Sequence, residues 1–240
     1  MLENKKYNVT TMKKPYPVWI IDNFLKKDVI QNIKKTWPNL DNGDWHSGYA
    51  HLGKDKNILE QGMMAISKLE LMPEYLQDLF NYLYSDNFIE KIEKITNKKN
   101  LVSDNMHWSG IRCMIENSFQ LIHSDARTHP TNGLRKELTC LLYLNDGYEK
   151  SRDEGCLEIW NDDVTKKEFE IEPLNNRLVI FQNSKTSHHG VPKVLSKRKS
   201  ILFNYCLDEI QENGRTKALF VPREQDSDEV KEIAKKRLEV

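Results

Sequence analysis

Apolar positions in the first hundred residues recur mostly with a helical period. Between Phe24 and Trp37 they fall at Leu25, Val29, Ile30, Ile33 and Trp37, a helix that Pro38 stops. Pro73 opens a second helix carrying Tyr75, Leu76, Leu79, Phe80 and Leu83. A third, Phe88 to Ile95, places Phe88, Ile89, Ile92 and Ile95 on one face, with Ser85 or Asp86 as its cap. Pro17 to Asp22 is a short apolar run that reads as a strand, and Gly43 to Lys56 is a polar loop holding His46 and His51.

The pattern changes after residue 100. Gly110–Ile115, Phe119–His123, Leu138–Leu144, Cys156–Trp160, Glu168–Ile171, Arg177–Phe181 and Ile201–Leu207 are short runs rich in β-branched and aromatic residues. Turn residues such as Asn132-Gly133, Asn145-Asp146-Gly147 and Asn175-Asn176 separate them. Short strands at this spacing predict a sandwich or barrel. Asp226 to Val240 returns to a helical period through Val230, Ile233, Ala234 and Leu238. The expectation is one α+β domain with a mainly β core. Residues 1–105 are read as a helical support region, 106–210 as the β core and 211–240 as a C-terminal extension.

Composition narrows the function classes. The 240 residues carry 36 Lys plus Arg against 36 Asp plus Glu, which argues against a nucleic-acid binder or a polybasic membrane binder. With 5 Trp, 9 Tyr and 8 Phe the chain is too aromatic for disorder. No apolar run is long enough to span a membrane, and Met1 to Tyr7 shows no export signal. Cys113, Cys140, Cys156 and Cys206 are far apart in apolar runs. They are expected as buried free thiols in a reducing cytoplasm.

Five of the seven histidines lie in the β half: His107, His123, His129, His188 and His189. In an extended His123-Ser124-Asp125, the imidazole and the carboxylate project to one face. A second histidine, 188 or 189, follows after several strands. Two histidines and one carboxylate on one side of a metal leave the opposite positions open, the arrangement of non-haem iron(II) oxygenases. Arg198 follows His189 by nine residues. A guanidinium there suits the far carboxylate of a 2-oxo acid, which supplies electrons by decarboxylation when it chelates such an iron.

From about Arg112 to Leu207 the chain resembles the iron(II)/2-oxoglutarate dioxygenase superfamily, in its prolyl-4-hydroxylase-like branch. The matching residues are His123-Ser124-Asp125, the strand Leu138 to Asn145, Glu154-Gly155 through Trp160, Ile171 through Phe181, Ser187 through Val191, and Arg198-Lys199-Ser200. Pro17–Asp22 and Leu219 to Pro222 extend the likeness to bacterial oxygenases of that superfamily.

The resemblance implies a double-stranded β-helix, a jelly roll, with N-terminal helices packed outside and a C-terminal helix. It implies His123, Asp125 and His189 as iron ligands, with His188 as the alternative register. Arg198 and the Tyr143 hydroxyl are assigned to the far carboxylate of 2-oxoglutarate, with Val191 lining the wall and Asn204 near the other carboxylate. Iron(II), 2-oxoglutarate and dioxygen are the implied cofactor and cosubstrates, with ascorbate as an accessory reductant. The implied reaction is hydroxylation of an unactivated C–H bond, most naturally of a prolyl residue in a peptide or protein. A free amino acid or sugar-linked small molecule is the enzymatic rival, and a non-catalytic jelly-roll binding module the other. Asp125 argues against a halogenase, which needs a small residue there.

Three departures from the family pattern stand out. Gly155-Cys156 replaces a Gly-Gly pair. Ile111 to Ile115, with Arg112, lacks an expected tyrosine. Asn204 stands where hypoxia-sensing enzymes have tryptophan. His107, Trp108 and His129 are candidates for the cavity mouth or loop and core positions. Arg127 and Arg135 are candidate anion contacts or solvated charges.

Overall fold

The computed structural model describes residues 2–4, 6–48, 56–211, 214–224 and 226–238. His51 and Val240 lie outside them. The N-terminal part contains β1 (Val9–Met12), β2 (Val18–Ile21), α1 (Lys27–Thr36), β3 (His46–Ser47), α2 (Lys56–Leu59) and β4 (Glu60–Ile66). Helices α3 (Glu74–Leu83) and α4 (Asp86–Thr96) lead into β5 (Leu101–Ser103) and the long β6 (Gly110–Ser124). Next come β7 (Leu134–Tyr143), α5 (Lys150–Asp153), β8 (Leu157–Trp160), β9 (Lys167–Ile171) and β10 (Leu178–Gln182). The chain ends with β11 (His189–Val191), β12 (Arg198–Ile210), β13 (Leu219–Phe220) and α6 (Asp228–Leu238).

The strands pair into one sheet in the order β1-β2-β10-β7-β12-β6-β11-β8-β9, with β4 and β13 also on β6. Their ladders are antiparallel, and the sheet curls into the expected jelly roll. Strand β6 joins its two walls. Gly110 to Met114 pairs with β12, whereas Gln120 to His123 pairs with β11. Between them Asn117 has φ 68°, a left-handed residue that turns the strand. The two runs read as separate strands in the sequence are therefore one bent strand. No helix among the described residues is long and apolar enough to cross a membrane.

Period-two alternation explains how the main wall is buried on both faces. Leu138, Cys140 and Leu142 of β7, with Ile201, Phe203 and Tyr205 of β12, face outward. They meet Ile30 and Ile33 of α1, Leu76, Leu79, Phe80 and Leu83 of α3, and Phe88 and Ile92 of α4. The alternate residues face the inside of the roll, where Tyr143, Val179 and Phe181 pack with Leu157, Ile159 and Val191. The four cysteines are free and buried, as expected.

The first hundred residues are less helical than their sequence suggests. They hold β1 to β4 as well as the three expected helices, and β2 and β4 are sheet members. Ser85 precedes α4, but its hydroxyl donates back to the Tyr82 carbonyl at 2.7 Å instead of capping the helix. The C-terminal helix begins at Asp228, and its Ala234 packs with Leu59 and Phe220.

Candidate active site

His123, near the end of β6, lies opposite His189 of β11 in register. Cross-strand partners project to the same side, so the two rings meet with centroids 4.3 Å apart. Asp125 follows His123 by two and reaches the same point. One ligand atom from each of the three lies within 4.8 Å of the others. His188 points elsewhere, its Nδ1 3.4 Å from the Asn161 carbonyl.

The hydrogen bonds around this trio aim three electron pairs inward. Nδ1 of His123 donates to the Leu121 carbonyl, and Nδ1 of His189 to the Ser187 carbonyl, each at 2.9 Å. A carbonyl only accepts, so Nδ1 holds the proton and the neutral ring presents Nε2 as a lone pair. Asp125 is divided in the same way. Its Oδ2 accepts from Lys136 Nζ at 2.7 Å, Thr139 Oγ1 at 3.0 Å and Asn183 Nδ2 at 3.4 Å. Its Oδ1 faces Nε2 of His123 at 3.5 Å and Nε2 of His189 at 3.8 Å. Two ligands each about 2.1 Å from one ion lie at most about 4.2 Å apart, so these spacings suit a shared divalent cation.

The titration of these groups follows from their surroundings. Burial would raise Asp125, but the Lys136 charge and the two histidines outweigh it and hold the carboxyl well below its usual range. Burial lowers His123, yet the hydrogen bond and charge of Asp125, with Glu60, turn the net shift upward. Burial and the neighbouring His123 push His189 down to about 3.

The trio opens into a cavity of about 890 Å³ that Arg198, Val191, Met114, Leu157 and Ser200 also line. Arg198 is only 6% exposed. Its Nη2 donates to the Tyr143 hydroxyl at 3.0 Å, its Nη1 lies 3.6 Å from Met114 Sδ, and its carbon stands 4.8 Å from the Tyr143 ring centroid. Its Nε has no partner, and no carboxylate pairs with it among the described residues. A buried guanidinium in this state calls for an anion from outside the chain. The donor set thus fits a divalent metal and a carboxylate-bearing ligand in one cavity.

The match to a known family falls on this part of the chain. Residues 109–206 match the model described as "2OG-Fe(II) oxygenase superfamily". That family implies iron(II), 2-oxoglutarate and dioxygen. Among solved structures, a Pseudomonas putida prolyl-4-hydroxylase is 16% identical with TM-score 0.58, covering 80% of this chain and 93% of its own. A Trichoplax adhaerens prolyl hydroxylase, solved with a peptide fragment of hypoxia inducible factor, is 20% identical with TM-score 0.60, covering 79% and 83%. A prolyl 4-hydroxylase from Phytophthora capsici is 13% identical with TM-score 0.52, covering 92% and 68%. At these identities the likeness is one of fold. No curated protein matches the sequence.

The other candidate residues separate by place. Val191 lines the cavity, whereas Tyr143 stands behind Arg198 and braces it. Asn204 is buried, with Nδ2 donating to Ser109 Oγ at 3.2 Å, and does not line the cavity. His107 and Trp108 are at the lining; the Asp104 carboxylate accepts the Trp108 N–H at 2.9 Å, and the Asp104 backbone carbonyl accepts the His107 N–H at 3.1 Å. His129 packs behind them, its ring 4.5 Å from that of His107 and 5.2 Å from that of Trp108. Arg135 pairs with Glu209 at 3.3 Å, and Arg127 is not a lining residue. His46 lines the cavity from β3.

Sequence reasoning missed Lys136, Thr139 and Asn183 on Asp125, and Glu60 and Gln120 beside His123. Thr139 was findable: it alternates with Leu141 and Tyr143 on a recognised strand. Lys136 was not, because a bulge between Lys136 and Leu138 breaks the alternation there.

Proposed function

We propose that this chain is an iron(II)- and 2-oxoglutarate-dependent hydroxylase whose metal is held by His123 Nε2, Asp125 Oδ1 and His189 Nε2. Arg198, braced by Tyr143, takes the far carboxylate of 2-oxoglutarate in a two-pronged contact. The observation that carries the reading is a buried guanidinium, paired with no acid among the described residues, in the same cavity as the inward-facing triad. When bound, iron(II) and 2-oxoglutarate supply the oxidation: 2-oxoglutarate, dioxygen and R–H become succinate, carbon dioxide and R–OH.

The chain's own residues set the stage for that step. The Leu121 and Ser187 carbonyls fix the tautomers of the two histidines. Lys136, Thr139 and Asn183 occupy Oδ2 of Asp125 and so present one oxygen to the metal. Met114, Leu157 and Val191 form apolar wall around the cosubstrate and exclude water from it. Trp108, His107 and His46 line the cavity where a substrate ring can pack. In this reading residues 106–210 are the catalytic core, with 1–105 and 211–240 supporting it.

A prolyl residue in a peptide or protein is the proposed substrate. The choice draws on the Trichoplax adhaerens prolyl hydroxylase and its peptide fragment. The test is to load the protein anaerobically with iron(II) and 2-oxoglutarate, admit oxygen, and measure succinate release with proline-containing peptides, free amino acids and sugar-linked compounds. Stimulation by peptides alone supports the prolyl reading. Stimulation by small molecules alone moves the substrate to that class. Absence of metal binding rejects the enzyme.

A further inference from the structure

Gln120 makes a contact that a metal site cannot keep. Its Nε2 lies 3.1 Å from Nε2 of His123 and donates to Glu60 Oε1 at 2.7 Å. Nδ1 of His123 already donates to the Leu121 carbonyl, so the Nε2 facing Gln120 is the lone pair. The amide orientation is fixed by the same chemistry. Turned over, its oxygen would face both the Glu60 carboxylate and the imidazole lone pair, three acceptors together. The amide therefore spends one N–H on Glu60 and the other on His123.

We propose that Gln120 is a positioning residue that caps the metal-facing nitrogen of His123 in the metal-free protein and is released into the cavity on metal loading. This rests on the metal-site reading above. An ion about 2.1 Å from Nε2 and an amide 3.1 Å from it cannot both use one lone pair. Gln120 stands opposite Glu60 across the β4–β6 ladder, and both line the cavity. The Glu60 contact keeps the amide at the wall when the His123 contact breaks. Metal loading thus turns an N–H donor toward the space where an oxygen-bearing ligand sits.

The test compares wild type with Gln120→Met, which keeps chain length without a donor, and with Gln120→Ala. Manganese(II) is titrated calorimetrically at pH 8.5, without 2-oxoglutarate. Removing the cap should tighten manganese binding about threefold to tenfold, the value of one neutral hydrogen bond that the ion no longer displaces. A merely structural role would leave the affinity unchanged or weaken it, and either result in both variants overturns the proposal. A second readout uses zinc(II) and the side-chain amide resonances of Gln120 in labelled wild-type protein. One of the two amide protons should lose its hydrogen-bonded shift on loading; two unmoved protons also overturn it. His189→Ala is the control for the underlying site. If manganese binds neither wild type nor variants, or binds His189→Ala as well as wild type, the metal-site reading itself fails. Binding by wild type alone with no gain in the Gln120 variants rejects only the cap.

Discussion

Replacing Arg198 with methionine should separate binding from stability. In the folded chain its guanidinium is buried, with one hydrogen bond to Tyr143 and no acid partner among the described residues. If it holds the far carboxylate of 2-oxoglutarate, Arg198→Met removes two charge-assisted hydrogen bonds of about 1.5–3 kcal/mol each. The affinity should then fall at least on the order of a hundredfold. The effect on the empty protein has the opposite origin. An uncompensated buried charge costs several kcal/mol, which the variant recovers, while an orphaned Tyr143 hydroxyl gives back about 1–3 kcal/mol. Methionine also packs against Met114 and the Tyr143 ring. The ligand-free variant should melt at or above wild type, each 1 kcal/mol moving the midpoint by about 2–4 °C in a chain of this size. Arg198→Lys keeps the charge but offers one prong, so its 2-oxoglutarate affinity should fall between the two. The assay is a calorimetric titration of 2-oxoglutarate on manganese-loaded protein, paired with scanning calorimetry of the ligand-free forms. Binding by Arg198→Met within threefold of wild type would refute the assignment. So would a large drop in melting temperature without ligand, which would make the guanidinium a structural group.

Three other changes have definite expected outcomes. Asp125→Ala should lose manganese binding by calorimetry while remaining folded, and retained binding would exclude Asp125 as a ligand. Lys136→Met leaves Asp125 without its cation and should destabilise the metal-free protein by about 1–3 kcal/mol, discounted because Asp125 is partly exposed. Manganese supplies the missing charge, so the melting gap should narrow on loading, and an equal gap in both states contradicts the pairing. Gly110 has φ +142°, and a Cβ there would meet the Ile66 carbonyl oxygen at 2.3 Å. Gly110→Ala should therefore cost about 2–4 kcal/mol in chemical denaturation, and a neutral result would mean that β4 shifts freely.

What could be read from the sequence was whatever depends on period two within an unbroken strand. His123 and Asp125 share a face for that reason, and so do Thr139, Leu141 and Tyr143. Arg198 sits in Lys197-Arg198-Lys199, which looks exposed, yet it begins β12 and alternates inward with Ser200 and Leu202. The family motif, not its local composition, identified it. The failures occur where alternation breaks or pairing is remote. Counting back from Thr139 puts Glu137 inward beside Asp125, which would have been a repulsive pair. The bulge turns Lys136 there instead and leaves Glu137 to Lys98 at 2.6 Å. Strand β4 reads as Glu60-Gln-Gly-Met-Met-Ala-Ile66, with no alternation, so its pairing with β6 could not be seen. Asn204 keeps the inward register of β12, but Ser109, on the distant 104–109 loop, takes its amide.

The charges lining the cavity yield a last prediction. Glu60, Lys136 and Arg198 are buried and Asp125 half-buried, and the formal charges of these four cancel, while half-buried Arg112 and the exposed Lys217 and Lys236, nearer solvent, also line the cavity. A divalent ion alone brings the set to a net +2, and the 2-oxoglutarate dianion alone to −2. Both together restore neutrality. Leaving charge unbalanced in a poorly solvated cavity is costly, so each ligand should raise the affinity for the other. The coupling should be about 1–3 kcal/mol, roughly fivefold to 150-fold, and the same factor must appear in both directions. The measurement is a thermodynamic square: manganese titrated with and without 2-oxoglutarate, and 2-oxoglutarate with and without manganese. Direct chelation would give coupling of the same sign, so Glu60→Gln supplies the discriminating arm. It makes the resting set +1, which should tighten 2-oxoglutarate binding to the metal-free protein and weaken manganese binding to the empty one. If Glu60→Gln shifts neither single-ligand affinity, charge balance is not what couples them, and chelation alone carries the effect.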